Sequence, residues 1–239
     1  MIRAVTFDAG LTLLYPHPSV YATYAAETAK FGAAASEEEF ARVFIPVYRT
    51  FVKEYAATES SSDELDHAMW REILRRVHGR IPALSAVPFE PWFEHLYLRF
   101  GDPHLWRLYP DAAPALAELR RRGYRLAVVS NWDRRLRPIA EGLGLTRLVD
   151  AFVVSSEAGV RKPHRRIFER TLAEVGVRPE EAVHVGDVPD EDVEGARAAG
   201  MGAVLMQREK RITEGTVPGV PVVRSLGELV DWLDRERRP

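Results

Sequence analysis

From Pro110 onward, short apolar runs alternate with helical patterns, and no other feature of the chain restricts its fold so tightly. Helical spacing covers 112–122, 134–143, 164–175, 192–199 and 226–235, with Gly123 and Gly200 closing the first and fourth of these spans. Between them lie the predicted strands Arg125-Leu126-Ala127-Val128-Val129, Ala151-Phe152-Val153-Val154, Ala182-Val183-His184-Val185 and Ala203-Val204-Leu205-Met206, and 220–223 reads as a short edge strand. Repeated strand–helix–strand order implies βαβ units with right-handed crossovers, and therefore an α/β fold on a central parallel sheet.

The first strand stands apart from the rest. The run Ile2-Arg3-Ala4-Val5-Thr6-Phe7 stops at Asp8 and turns at Gly10. After Thr12 the pattern changes: Pro16 and Pro18 break the chain, and helical spacing dominates from 16 to 105 with no strand signal. Tyr21, Tyr24, Thr28 and Phe31 mark one helix, and Ser36 with Glu39 forms a capping box before Phe40, Val43, Phe44, Val47 and Phe51. Asp63 opens a third helix ending near Gly79, and a fourth spans 89–100.

Composition mainly excludes. Hydrophobic residues make up 46% of 239, enough for a sizeable core. A net charge of -2 gives no case for a nucleic acid or an anionic membrane surface as partner. Cysteine is absent, which removes disulfides, thiolate metal sites and a cysteine nucleophile. No long uncharged stretch reads as a membrane span, and the N-terminus enters a strand at once, so a cytoplasmic protein is expected.

In an open parallel α/β sheet, chemistry gathers beyond the carboxyl ends of the strands. Asp8, Ser130 and Asp187 each fall at such an end, and Lys162 lies in the loop before a helix. Each has an ordinary structural reading: a turn acid, a cap, an acid at a helix start, a solvated lysine. Four such residues in this order at successive strand ends are harder to explain that way, and a carboxylate at position 8 is a candidate nucleophile.

The segments Phe7-Asp8-Ala9-Gly10-Leu11-Thr12, Val128-Val129-Ser130-Asn131, Arg161-Lys162-Pro163 with Ile167-Phe168, and His184-Val185-Gly186-Asp187 through Asp192 and Gly195-Ala196 resemble the haloacid dehalogenase-like hydrolase family over the whole chain. The resemblance implies a Rossmann-like three-layer core, 1–15 with 106–239, holding a five-strand parallel sheet with the first strand central. It also implies that 16–105 is an inserted small helical cap. Asp8 would attack phosphorus on a small phosphorylated molecule and form an aspartyl-phosphate. Mg²⁺ would be held by Asp8, the Gly10 carbonyl and Asp187, with Asp192 close by as a direct or supporting acid. Ser130, Asn131 and Lys162 would cradle the phosphoryl group.

One departure matters. Family phosphatases carry an aspartate where Gly10 stands, and such acid–base help is typically worth about 10²–10⁴-fold. The resemblance leaves several outcomes: a slow phosphatase or one acting on easily expelled leaving groups; rescue by Asp190 or Glu191; phosphonate hydrolysis through a cap lysine, Lys30 or Lys53; halide hydrolysis; or a catalytically impaired binding protein. Tyr15, His17, Tyr21, Tyr24, Arg42 and Trp132 are candidate lining residues, although aromatic residues at helical spacing usually form core. His184 reads as a packed core residue, not a base. Oligomeric state has no signature.

Overall fold

The computed structural model describes residues 1–55, 58–208 and 217–237, leaving the side chains of Lys53, Tyr55 and Arg237 outside the description. The chain runs β1 (Ala4–Phe7), β2 (Leu14–Pro16), α1 (Val20–Ala29), α2 (Glu37–Tyr55), α3 (Asp63–His78), α4 (Phe89–Arg99), β3 (Trp106–Leu108), α5 (Ala112–Arg121), β4 (Arg125–Ser130) and α6 (Leu136–Gly142). It continues with β5 (Ala151–Val154), α7 (Ser155–Ala158), α8 (Arg165–Val175), β6 (Ala182–Gly186), a π turn (Pro189–Glu194), α9 (Gly195–Ala198), β7 (Gly202–Met206), β8 (Val222–Val223) and α10 (Leu226–Arg237).

The main sheet has six strands in the order β5-β4-β1-β6-β7-β8, every pairing parallel. The first strand is central, as expected. The sixth strand is the edge segment, two residues long, added to the five of the expected core. A strand buried on both faces needs apolar side chains on both, which is why these segments read as continuous apolar runs. Val5, Phe7, Val128 and Val185 face a layer with Leu116, Leu119, Ile139 and Leu233, while Ala4, Ala127 and Val129 face Ile167, Phe168 and Leu172. Fully burying a side chain such as Phe7 stabilises by roughly 1.5–3 kcal/mol. The result is a three-layer α/β sandwich. The register aligns Phe7 with both Val128 and Val185, so Asp8, Ser130 and Asp187 emerge at one edge.

The segment between β2 and β3 packs α1–α4 around a separate aromatic core including Tyr24, Phe40, Phe44, Trp92 and Phe93. Ser19 and Ser62 cap α1 and α3 by accepting the amides of Ala22 at 2.9 Å and Leu65 at 3.2 Å. Ser36 Oγ likewise accepts the Glu39 amide at 3.2 Å. Flanking the stretch that carries no strand signal, and sharing only Pro16 with it, β2 and β3 pair antiparallel, Pro16 opposite Trp106. Three residues are too few to display an alternating pattern, and Pro16 masks the first strand further. The helices expected from 134 and 192 begin later, at Leu136 and Gly195, the second after the π turn. Among the described residues no helix is long and apolar enough to cross a membrane.

The insert meets the core again beside the sheet edge. Ser60 bridges to Val160, the Arg161 amide donates to the Glu59 carbonyl at 3.0 Å, and Ser61 Oγ lies 3.0 Å from Ser155 Oγ and 3.2 Å from Asp66 Oδ2. Burial pushes the Asp66 carboxyl up to about 6, Arg161 opposing and Asp133 reinforcing the rise. A raised acid binds its proton more tightly in the folded state. Its stabilising contribution is therefore complete below the unfolded value near 3.8 and is lost as pH rises through about 6. Asp66→Asn should gain about 1–3 kcal/mol over the parent at pH 8, and less at pH 5, in urea unfolding. Equal gains at both pH values would show that this carboxyl does not titrate with folding.

Candidate active site

Parallel register delivers three of the predicted residues to one place, and the loop before α8 delivers the fourth. Lys162 Nζ donates to Asp8 Oδ1 at 2.7 Å, and Ser130 Oγ donates to the same oxygen at 3.0 Å. Lys162 Nζ also donates to Asp192 Oδ1 at 2.5 Å. Lys162 is 2% exposed, Asp8 8% and Asp192 1%, so the ammonium and both carboxylates are removed from bulk water. A buried lysine is tolerable only when paired, and here it is paired twice.

The charges set one another. Burial disfavours the Lys162 ammonium, but Asp192 and Asp8 outweigh it and push its pKa above the usual lysine range. Burial likewise opposes an ionised Asp192, yet Lys162 and His184 hold that carboxyl far below its usual range. For Asp8, burial dominates and raises the pKa, with Lys162 opposing. Of the two carboxylates Asp192 is the nearer to the ammonium, at 2.5 Å against 2.7 Å for Asp8.

Asp192 is held on every side. His184 Nε2 lies 3.1 Å from Oδ1, and the Val188 amide donates to Oδ2 at 2.9 Å. A neutral His184 that donates to this carboxylate must accept at Nδ1, where Thr6 Oγ1 stands 2.8 Å away. His184 is therefore the buried residue expected from the sequence, and its burial lowers its pKa. Gly186 makes room for this arrangement: a Cβ there would sit 2.1 Å from Asp192 Cγ.

Asp187 and Gly10 lie with Asp8 on the wall of a cavity of about 1090 Å³. Thr12 Oγ1 donates to Asp187 Oδ1 at 3.1 Å and fixes that carboxylate. Asn131 ties two loops together, accepting the Lys162 amide at 2.7 Å and donating to the Lys162 carbonyl at 2.9 Å and to Glu191 Oε2 at 2.8 Å. Glu191 lines the cavity, and burial raises its carboxyl above the usual range. Leu11 carries the turn in the left-handed region, φ 61°, a conformation costly for a branched residue and one that clusters at functional sites. Among the described residues no three acidic or imidazole side chains gather so as to hold a metal by themselves. A cation here would draw on Asp8, Asp187 and a main-chain oxygen such as that of Gly10, a hard-oxygen set suited to Mg²⁺.

Of the predicted lining residues, Tyr15, Tyr21, Tyr24 and Trp132 border the cavity, whereas His17 and Arg42 do not. Trp132 takes up the space beside Gly10: a Cβ at position 10 would lie 3.2 Å from its ring. That ring packs edge-on against Trp106 at 4.9 Å. Lys30 is absent from the cavity wall; it is exposed and paired with Glu27 at 2.5 Å. The Lys53 side chain lies outside the described residues. The sequence alone points to no role for Thr12, Thr6 or Arg161. Thr12 stands inside the first motif, but the Thr6–His184 pair has no local signal.

The family of haloacid dehalogenase-like hydrolases matches residues 2–200. Haloacid dehalogenase-like hydrolase domain-containing protein 3 of Homo sapiens is 32% identical over 236 residues, covering 98% of this chain and 94% of that protein. Glyceraldehyde 3-phosphate phosphatase of Methanopyrus kandleri is 33% identical over 226 residues, covering 88% and 86%. The solved L-2-haloacid dehalogenase of Xanthobacter autotrophicus, with chloropropionic acid covalently bound, is 24% identical with a TM-score of 0.74 over 100% of both chains, a likeness of fold.

Proposed function

Because the chain belongs to the haloacid dehalogenase-like hydrolase family, we propose that it hydrolyses a small phosphate monoester through an aspartyl-phosphate on Asp8, with Mg²⁺ as cofactor. The observation that carries this reading is the convergence of Asp8, Ser130 and Lys162 on one carboxylate oxygen. Both side-chain bonds fall on Oδ1, which leaves Oδ2 to attack. The Asp8 oxygen–phosphorus bond forms as the bond from phosphorus to the leaving oxygen breaks, and the electron pair departs on that oxygen. Water then attacks phosphorus, the Asp8–phosphorus bond breaks, and phosphate leaves with a proton lost to solvent. Lys162 and Ser130 keep the nucleophile oriented and balance charge on the phosphoryl oxygens. Asn131 holds the Lys162 loop in place.

Asp8, the Gly10 carbonyl and Asp187 would hold the cation, which when bound would offset charge on the phosphoryl group. Asp192 has both oxygens engaged by Lys162, His184 and Val188, and serves to orient the lysine. Residues 16–105 act as the cap that closes over the sheet edge and excludes water, with 1–15 and 106–239 as the core. The phosphatase relative from Methanopyrus kandleri supports this reading over halide hydrolysis.

Hydrolysis of p-nitrophenyl phosphate should require Mg²⁺, stop with EDTA and return on adding metal back. No turnover of any phosphoester at high enzyme concentration would leave the second reading, a binding protein on the same fold. That alternative is favoured only by the missing acid at position 10.

A further inference from the structure

We propose that the substrate is an aryl phosphate monoester, whose ring lies against Trp132 and whose phenoxide departs without protonation. This deepens the phosphatase reading and rests on it. Three observations converge. First, position 10 carries no acid. Gly10 bears no side chain, and the edge of the Trp132 ring comes within 3.2 Å of where a Cβ would be, so an apolar ring stands beside the bare backbone two residues after Asp8. Second, the cavity is far larger than a phosphoryl group needs: about 1090 Å³, at the upper end of ordinary small-molecule sites. Third, its wall is aromatic. Tyr48, Trp70 and Tyr97 reach it from the insert, and Trp106, Tyr109 and Trp132 from the core side. Trp132 is only partly buried and meets the buried Trp106 edge to face, which holds its ring in place on the wall.

The chemistry of the leaving oxygen links these observations. An alkoxide is about as basic as hydroxide, whose conjugate acid has a pKa of about 15.7, and needs a proton as it leaves. A phenoxide, with a conjugate-acid pKa of about 10, is expelled far more easily. A site with a bare glycine at position 10 and an indole edge beside it disfavours the first class and offers contact area to the second. The balance is simple: the Asp8 oxygen–phosphorus bond forms, the phosphorus–aryl oxygen bond breaks, and the phenoxide takes its proton from water after release. Discrimination of this kind comes from the transition state, so it appears in kcat/KM.

The test compares wild-type turnover of phenyl, 2-naphthyl, benzyl and acetyl phosphates with Mg²⁺. Benzyl phosphate keeps a ring but releases an alkoxide. Phenyl phosphate should exceed it in kcat/KM by at least about 10²-fold, the usual worth of the missing acid. Equal rates for the two would overturn the proposal, since an acid such as Glu191 would then be protonating the alkoxide. Acetyl phosphate, small and activated, reports on the phosphatase reading alone. If it is hydrolysed while aryl phosphates are not preferred over alkyl ones, the aryl assignment fails and the phosphatase survives. If nothing is hydrolysed, the phosphatase reading itself fails. In Trp132→Leu, KM for 2-naphthyl phosphate should rise about 10-fold, with a smaller change in kcat; an unchanged KM would remove the ring from the binding site.

Discussion

Asp8→Asn is expected to lower kcat by about 10⁴-fold or more while the protein remains folded. An amide has the shape of the carboxylate but no nucleophilic oxygen, so the covalent step has no attacking group. The fold should survive because Lys162 retains Asp192 as partner at 2.5 Å. Single-turnover hydrolysis of a radiolabelled monoester, followed by acid quench, checks this directly. Wild-type protein should retain label on the chain and the variant none, with unchanged circular dichroism. Label retained on Asp8→Asn would transfer the nucleophile to another residue and remove the mechanism above.

Lys162→Met carries the largest expected loss of stability. Its side chain is 1% exposed and compensates two carboxylates. Removing one partner of a buried pair leaves uncompensated charge and typically costs about 3–5 kcal/mol. Urea unfolding at neutral pH should show that loss. The double variant Lys162→Met with Asp192→Asn should recover much of it, because only Asp8 then remains charged. Activity should not return in the double variant, since the phosphoryl group still lacks its cation. Recovery of both would make Lys162 a structural residue alone.

Much of this arrangement was legible in the chain because buried parallel strands announce themselves. A run such as Leu126–Val129 is apolar on both faces and Ala182–Val185 is so except at His184, and the first polar residue beyond each is the one the sheet presents at its edge. Asp8, Ser130 and Asp187 stand out as candidates this way, whereas Lys162 reads as a solvated turn residue by itself and gains its candidate role from the resemblance of its motif. The ribbon of Leu14–Pro16 with Trp106–Leu108 was not legible, because three residues carry no periodicity. Nor was the support beneath Asp192 and Asp187. The Thr6–His184 bond joins residues 178 positions apart and the Thr12–Asp187 bond residues 175 apart, and neither pairing leaves a local trace. Trp132 illustrates the same limit. Its aromatic character suggested a lining residue, but only the fold sets its ring against the bare backbone at Gly10.

The short antiparallel ribbon has an evolutionary consequence. Opposed residues in such a pair stand about 4.5–5.5 Å apart, so everything between Pro16 and Trp106 departs and returns through one narrow gate. Lengthening a closed excursion costs only about 0.6 kcal/mol per doubling. Segments of other lengths can therefore be spliced in at this gate at little entropic cost, a further tie to the base being the contact of residues 59–61 with Ser155, Val160 and Arg161.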